Sequence, residues 1–292
     1  MIQIDYNSPL ALKEFLDQRG MAMQKKFGQN FLLNPQSRER IVDMLEIDEG
    51  EAIWEVGPGL GCMTREILDR KAFLTAFEID RGFVSALEEI FNEEINRGSF
   101  RIVTGDVLKT WKNEVNQKKP VKLFGNLPYN IASTFIADTI ENGFAFDRCV
   151  FTVQKEVAQR MTAKASTKNY SSFSVMCQWL YDLSLGAEIS AGNFWPRPNV
   201  SSQTVLLVKK ERPLECSNPK FLIKLIHALF ASRRKTVLNN MKGLLPPELD
   251  PRKILESASL DLNMRAENLT LQDYVRLSEI ASSAIIALKG DA

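Results

Sequence analysis

An alternation constrains this chain more than any other feature. Short apolar runs rich in Val, Ile and Phe, "AIWEVG" (52–57), "FLTAFEID" (73–80), "FRIVTGD" (100–106), "VKLFGN" (121–126) and "RCVFTVQ" (148–154), punctuate its first half. Between them lie "MTREILDR", "VSALEEIFNEEI" and "STFIADTIEN", with apolar residues three and four apart. Runs that are apolar on both faces suit strands covered from both sides, and the spacers suit helices. Such repetition needs right-handed crossovers and hence a mostly parallel sheet in an α/β fold. Ahead of the first strand, "NPQSRERIVDMLEI" reads as a helix capped by Asn34, with Pro35 at its first position.

Two further strand-like runs, 183–190 and 201–210, follow without a convincing helix between them and predict an antiparallel edge. A Pro-containing polar linker (211–219) comes next, and beyond it the pattern is purely helical. The expected organisation is an α/β domain over 1–210 and a small all-α domain over 211–292.

At 292 residues, 45% hydrophobic and 25% charged, the chain can bury a core without disulfide or metal staples. Its four cysteines (Cys62, Cys149, Cys177 and Cys216) form no Cys-x-x-Cys pair and read as reduced structural thiols. Asp5, Lys13, Glu14 and Asp17 argue against a signal peptide, and no uncharged run suits a membrane span, so a cytoplasmic protein is expected. Net charge is +1, but it is unevenly spread. From Arg148 to Lys242 there are 15 Lys/Arg against 5 Asp/Glu, a balance of +10, and the remainder carries −9. Such polarisation suits a basic face for a polyanion.

Four strand ends carry the chemistry. The first runs into "EVGPGLG" (55–61), whose glycines allow close backbone approach to a ligand at a helix N-terminus. The sixth position of the dinucleotide pattern is Cys62 rather than a small Gly or Ala, which argues mildly against a pyrophosphate-bearing cofactor. Glu78, about 20 positions on, suits ribose hydroxyls and fits NAD and S-adenosylmethionine alike. Asp106 ends the third strand with a carboxylate able to accept from an adenine amine. The fourth ends in Asn126-Leu127-Pro128-Tyr129. An aromatic amine is a poor nucleophile. The Asn126 side-chain carbonyl and the Leu127 main-chain carbonyl, held by Pro128, would accept from its N–H groups, with Tyr129 stacked on the base. His227, the lone histidine, lies on an apolar stretch and reads as a packing residue, so histidine triads and histidine-rich metal sites are not expected.

In order, "KKFGQNFLLNP", "EVGPGLG", "FEID", "GD", "NLPYNIAS", "FTVQKEVAQRM", "FWPRPNVSS" and "SRRKTVLNN" resemble the small-subunit (16S-type) ribosomal RNA adenine-N6,N6-dimethyltransferases, the kasugamycin-sensitivity methyltransferases. The resemblance covers about residues 9–240 and implies a Rossmann-like class I methyltransferase sheet. It also implies S-adenosyl-L-methionine-dependent dimethylation of two adjacent adenosines near the rRNA 3′ end during ribosome assembly. The implied partner is small-subunit rRNA within the pre-30S subunit, acted on by a monomer.

Carried over, Gln29, Asn30 and Leu32 belong to the cofactor pocket, Gly57 and Gly59 lie beside the methionine portion, Glu78 at the ribose and Asp106 at the adenine. Asn126 touches the cofactor region and the target amine, and Tyr129 and Phe194 are the two stacking surfaces for the target adenine. Lys155, Arg160, Arg197, Arg233, Arg234 and Lys235 are candidate RNA contacts, and solvated helix faces explain those on the helices nearly as well. Two alternatives share the fold: a large-subunit rRNA adenine methyltransferase and a non-catalytic nucleic-acid-binding assembly or transcription factor.

Overall fold

The computed structural model describes residues 4–21, 23, 30–115, 120–127 and 129–290, without the side chains of 129, 130 and 289. In chain order its first half runs α1 (Pro9–Gln18), β1 (Phe31–Leu32), α2 (Pro35–Asp43), β2 (Ala52–Val56), α3 (Cys62–Leu68) and β3 (Phe73–Glu78). Then come α4 (Arg81–Ile90), α5 (Asn92–Asn96), β4 (Phe100–Thr104), α6 (Val107–Glu114), β5 (Lys122–Asn126) and α7 (Tyr129–Glu141). The second half continues with β6 (Arg148–Gln154), α8 (Lys155–Met161), α9 (Ser172–Leu180), β7 (Tyr181–Ile189), β8 (Phe194–Trp195) and β9 (Ser202–Lys209). It closes with α10 (Pro219–Phe230), α11 (Val237–Met241), α12 (Pro251–Ser257) and α13 (Leu271–Gly290).

Seven strands form one sheet in the order β4-β3-β2-β5-β6-β9-β7. The pairs among β2 to β6 are parallel, whereas β9 runs antiparallel to β6, with Thr152 opposite Thr204. This is the mixed α/β sheet with an antiparallel edge that the alternation predicts. Strand order reverses between β2 and β5, the topological switch point where open α/β sheets bind ligands at their carboxyl edge. A second, two-stranded sheet was not expected: β1 and β8 pair antiparallel, Phe31 with Trp195 and Leu32 with Phe194.

Local sequence explains the helix starts. Asn34 caps α2 by accepting from the Ser37 N–H, and Asp80 and Asp106 do the same for α4 and α6, from Gly82 and Leu108. Strand β2 is buried along its whole length. Trp54 meets Phe77 edge-on at 4.7 Å and Phe146 at 5.7 Å. Aromatic rings of this size dominate core burial, at about 1.5–3 kcal/mol for a fully buried large apolar side chain.

The chain divides into two compact units. One comprises the described parts of 1–138, 145–158 and 184–209, and the other those of 139–144, 159–183 and 210–292. The helical unit thus takes in segments ahead of the linker as well as everything after it. The reason is packing, since α9 contacts both α10 and α13 and buries Phe173, Val175, Met176 and Trp179. Within this unit Phe230 stacks on Tyr274 at 6.1 Å, and the Tyr274 hydroxyl donates to the Ala266 carbonyl. No helix among the described residues is long and apolar enough to cross a membrane.

Candidate active site

At the carboxyl edge of β2, β3, β4 and β5 lies a cavity of about 300 Å³. The glycine loop after β2 forms one wall. At Gly59, with φ +59°, an added Cβ would sit 2.8 Å from Cε1 of Phe31, so the backbone lies closer to that ring than any other residue permits. The loop is tied to the neighbouring strand by the Gly57 N–H, which donates to the Phe77 carbonyl at 3.0 Å; beyond β4, the Gly105 N–H likewise donates to the Glu78 carbonyl at 2.8 Å.

Two carboxyls stand in this wall. Glu78, 4% exposed, accepts from the Asp80 N–H at 2.8 Å and the Gly59 N–H at 3.1 Å, which leaves lone pairs for a ligand hydroxyl. Burial pushes its pKa up to about 7, against the lowering effect of those N–H groups. Glu55, on β2, accepts from the Thr64 hydroxyl at 2.6 Å. Burial drives its pKa up to about 8, and the neighbouring Glu78 charge adds to the rise.

Asp106 lines the cavity while Oδ1 caps α6, accepting from the Leu108 N–H at 3.0 Å. Asn126 lines it too, and Nδ2 donates to the Asn30 carbonyl at 3.1 Å. A carbonyl only accepts, so this contact fixes which way the amide points.

The expected site residues divide as follows. Asn30, Gly57, Gly59, Glu78, Asp106, Asn126 and Leu127 line a single cavity. Leu32 and Phe194 do not: they pair across β1 and β8, at 2% and 4% exposure, inside the hydrophobic core. Alternation along a two-residue strand explains this, because the pair Phe31 and Trp195 takes the opposite face. Phe194, expected as a stacking surface for the target adenine, is thus buried in this arrangement, and Phe31 is the aromatic ring of that sheet on the cavity wall. Gln29, Pro128 and the side chain of Tyr129 lie outside the described parts of the chain.

Among the basic candidates, Lys155 pairs with Glu188 at 2.7 Å, and Arg197 is exposed. In the helical unit, Arg160 is half-buried, Arg233 pairs with Glu267 at 2.6 Å, and Arg234 and Lys235 are exposed. His227 is corrected from core to surface. Its side chain is 48% exposed and Nε2 lies 2.8 Å from Oε1 of Glu141, because its position on α10 falls outside the stripe of Leu222, Leu225, Ile226 and Leu229.

Missed from the sequence were Glu55, Phe31, Ile79, Val107 and Ile131, all cavity-lining. Ile79 directly follows Glu78 at the end of β3 and Val107 directly follows Asp106, the cap of α6, a pairing of acceptor and apolar wall that suits a flat heterocycle. Ile79 is 46% exposed and open to a ligand at the cavity rim.

The family model for ribosomal RNA adenine dimethylase matches residues 20–283. The chain belongs to that family. A ribosomal RNA small subunit methyltransferase A from Treponema denticola is 47% identical over 280 residues, covering 94% of this chain and 95% of its own length. The protein of that name from Borreliella burgdorferi is 40% identical over 277 residues, covering 95% of each chain. Among solved structures, a dimethyladenosine transferase from Plasmodium falciparum matches with a TM-score of 0.67 at 25% identity, covering 84% of this chain and 94% of that one. The 23S rRNA methyltransferase ErmE, at a TM-score of 0.61 and 22% identity over 86% of this chain and 99% of its own, shares the fold. For the dimethylase family, the residues lining the cavity fit its donor: glycines admitting close backbone approach, buried carboxyls able to accept from hydroxyls, and apolar walls for a purine.

Proposed function

We propose that this chain transfers methyl groups from S-adenosylmethionine to the N6 amines of two adjacent adenosines near the 3′ end of small-subunit ribosomal RNA, two on each. The observation that carries this is one cavity lined at once by Gly57, Gly59, Glu78, Asp106 and Asn126 in a chain of the dimethylase family.

Gly57 and Gly59 would hold the methionine portion of the cofactor. Glu78 accepts from the ribose hydroxyls, Asp106 from the adenine amine, and Ile79 and Val107 cover the purine faces. S-adenosylmethionine, when bound, supplies an electrophilic methyl group on a sulfonium sulfur. The protein's own task is to present the target amine, whose lone pair is delocalised into the ring. Asn126 Oδ1 and the Leu127 carbonyl accept from its two N–H bonds in the first transfer, and one of them accepts from the remaining N–H in the second; each time the lone pair turns out of the ring plane toward the donor, and the methylated, cationic amine sheds its proton to water. Preorganised acceptors of this kind act through position and electrostatics and need no strong base.

The target base must leave its stack to reach this cavity, and Tyr129 is assigned to stack on it. Arg197, Arg160, Arg233, Arg234 and Lys235, with Lys155, are assigned to backbone phosphates, where they give register rather than sequence choice. The pre-30S subunit as substrate and a monomeric enzyme belong to the same reading. A methylation map of both ribosomal RNAs from a strain lacking this protein tests it. Loss of the adjacent dimethyladenosines from the small subunit is expected, and loss confined to the large subunit would overturn it.

A further inference from the structure

Thr152, on β6, is 2% exposed, and its hydroxyl has no hydrogen-bond partner among the described residues. Buried hydroxyls are almost always paired, so an orphan on a strand calls for an account. Among the described residues, the other unpaired buried side-chain atom is Oγ of Ser278, which sits within α13, where a serine has the i−4 carbonyl to hand. Thr152 has no such recourse. Its own carbonyl already accepts from the Leu127 N–H at 3.3 Å. Thr204, opposite it on β9, spends its hydroxyl on the Ala187 carbonyl at 3.3 Å.

Register says what the hydroxyl faces. Thr152 is the direct partner of Asn126 across the parallel β5–β6 ladder, so both side chains stand on one face of the sheet. Phe124 and Asn126, two apart on β5, share that face and both line the cavity. The orphan therefore stands beside Asn126, on the face of the sheet that Phe124 and Asn126 present to the cavity. With Nδ2 of Asn126 committed to the Asn30 carbonyl, Oδ1 keeps two lone pairs.

We propose that Thr152 is a positioning residue whose hydroxyl donates to Asn126 Oδ1 when the target amine takes the other lone pair of that oxygen. A change between staggered χ1 wells suffices to aim the hydroxyl. Two donors on one oxygen, with Nδ2 tethered opposite, hold the amide plane fixed while the substrate amine is aligned. This inference rests on the methyl-transfer reading above and adds a residue to it.

The test uses Thr152→Val and Thr152→Ser in the full chain. Melting temperature, calorimetric affinity for S-adenosylmethionine, and kcat and KM on unmethylated small subunits are measured beside wild type. Removing an unpaired buried hydroxyl isosterically should leave stability equal or higher. Thr152→Val should melt no lower than wild type and bind cofactor and subunits as wild type does, while kcat falls about tenfold, the loss of one hydrogen bond that matters only in the reacting complex. Thr152→Ser should recover most of that rate. A valine variant with wild-type kcat overturns the proposal. So does a loss shared by the serine variant, or one accompanied by weaker cofactor binding, since each points to packing. A wild-type protein that transfers no methyl group would instead bring down the methyl-transfer reading, and this assignment with it.

Discussion

The side-chain amide of Asn126 donates to the main-chain carbonyl of Asn30, 96 residues earlier in the chain, at 3.1 Å. One contact thus ties the end of β5 to the segment entering β1 and commits the amide nitrogen, leaving the oxygen for a substrate. Asn126→Ala removes both the tether and the acceptor. Its kcat should fall by about 10²–10³-fold, as for loss of one preorganised polar contact to the reacting group, with little change in rRNA binding. Rapid-quench transfer and filter binding measure the two separately, and a variant with full activity would contradict the role.

Glu55 and Glu78 give the apo protein an unusual pH dependence. Each has an ordinary pKa of 4.5, raised in the fold to about 8 and about 7. Between pH 4.5 and about 8 the folded chain holds protons that the unfolded chain has released, so stability falls as pH rises across that window. The penalty is absent below the ordinary pKa and complete above the raised one. Glu55→Gln removes its share. Its melting temperature should drop less than that of wild type between about pH 5 and about pH 8.5, and equal slopes in a differential scanning series would contradict the assignment.

Gly59→Ala places a methyl against Phe31 in a left-handed backbone position. Gly98→Ala, at φ +75° with open space around it, is the control. The control should lose about 1–2 kcal/mol from backbone strain and keep its cofactor affinity. Gly59→Ala should lose more stability and bind S-adenosylmethionine at least about tenfold more weakly, a penalty of ~1.4 kcal/mol. Chemical denaturation and calorimetry read the two effects.

Trp195 stacks on Phe31, rings 22° apart at 6.2 Å, and is the only tryptophan of the four not buried. Acrylamide quenching of tryptophan fluorescence should therefore report mainly on it. Binding of small-subunit rRNA should reduce that quenching, and Trp195→Phe should abolish the response. Base stacking on an aromatic side chain is worth about 1–3 kcal/mol, so Trp195→Ala should weaken rRNA binding measurably, with Trp195→Phe milder. Quenching unchanged by rRNA would contradict an rRNA contact at this half-buried indole.

Much of this was legible in the sequence, for physical reasons that differ by element. The strands of the large sheet lie within two or three residues of the apolar runs that predict them, because buried parallel strands leave little choice of composition. Glu78, Asp106 and Asn126 were legible because the topology delivers strand ends to one edge. Helix α1 carried the same cap-and-proline signal at Ser8-Pro9 that marked α2 at Asn34-Pro35. The small sheet of β1 and β8 was not legible: two-residue strands have no period, and it is their pairing that sends Phe194 and Leu32 into the core. The division of units was hidden for a similar reason, since α9 joins residues far along the chain through its apolar face. Glu55 was masked by the glycine motif it begins, where an acid at a strand end looks like a solvated one until its burial is known.

The most direct test of the account is incubation of the purified protein with labelled S-adenosylmethionine and small subunits from an unmethylated strain. The account predicts four methyl groups per subunit, mapped by nuclease digestion and mass spectrometry to two adjacent adenosines near the 3′ end of the rRNA. No incorporation, or label confined to the large subunit when both are offered, would contradict it.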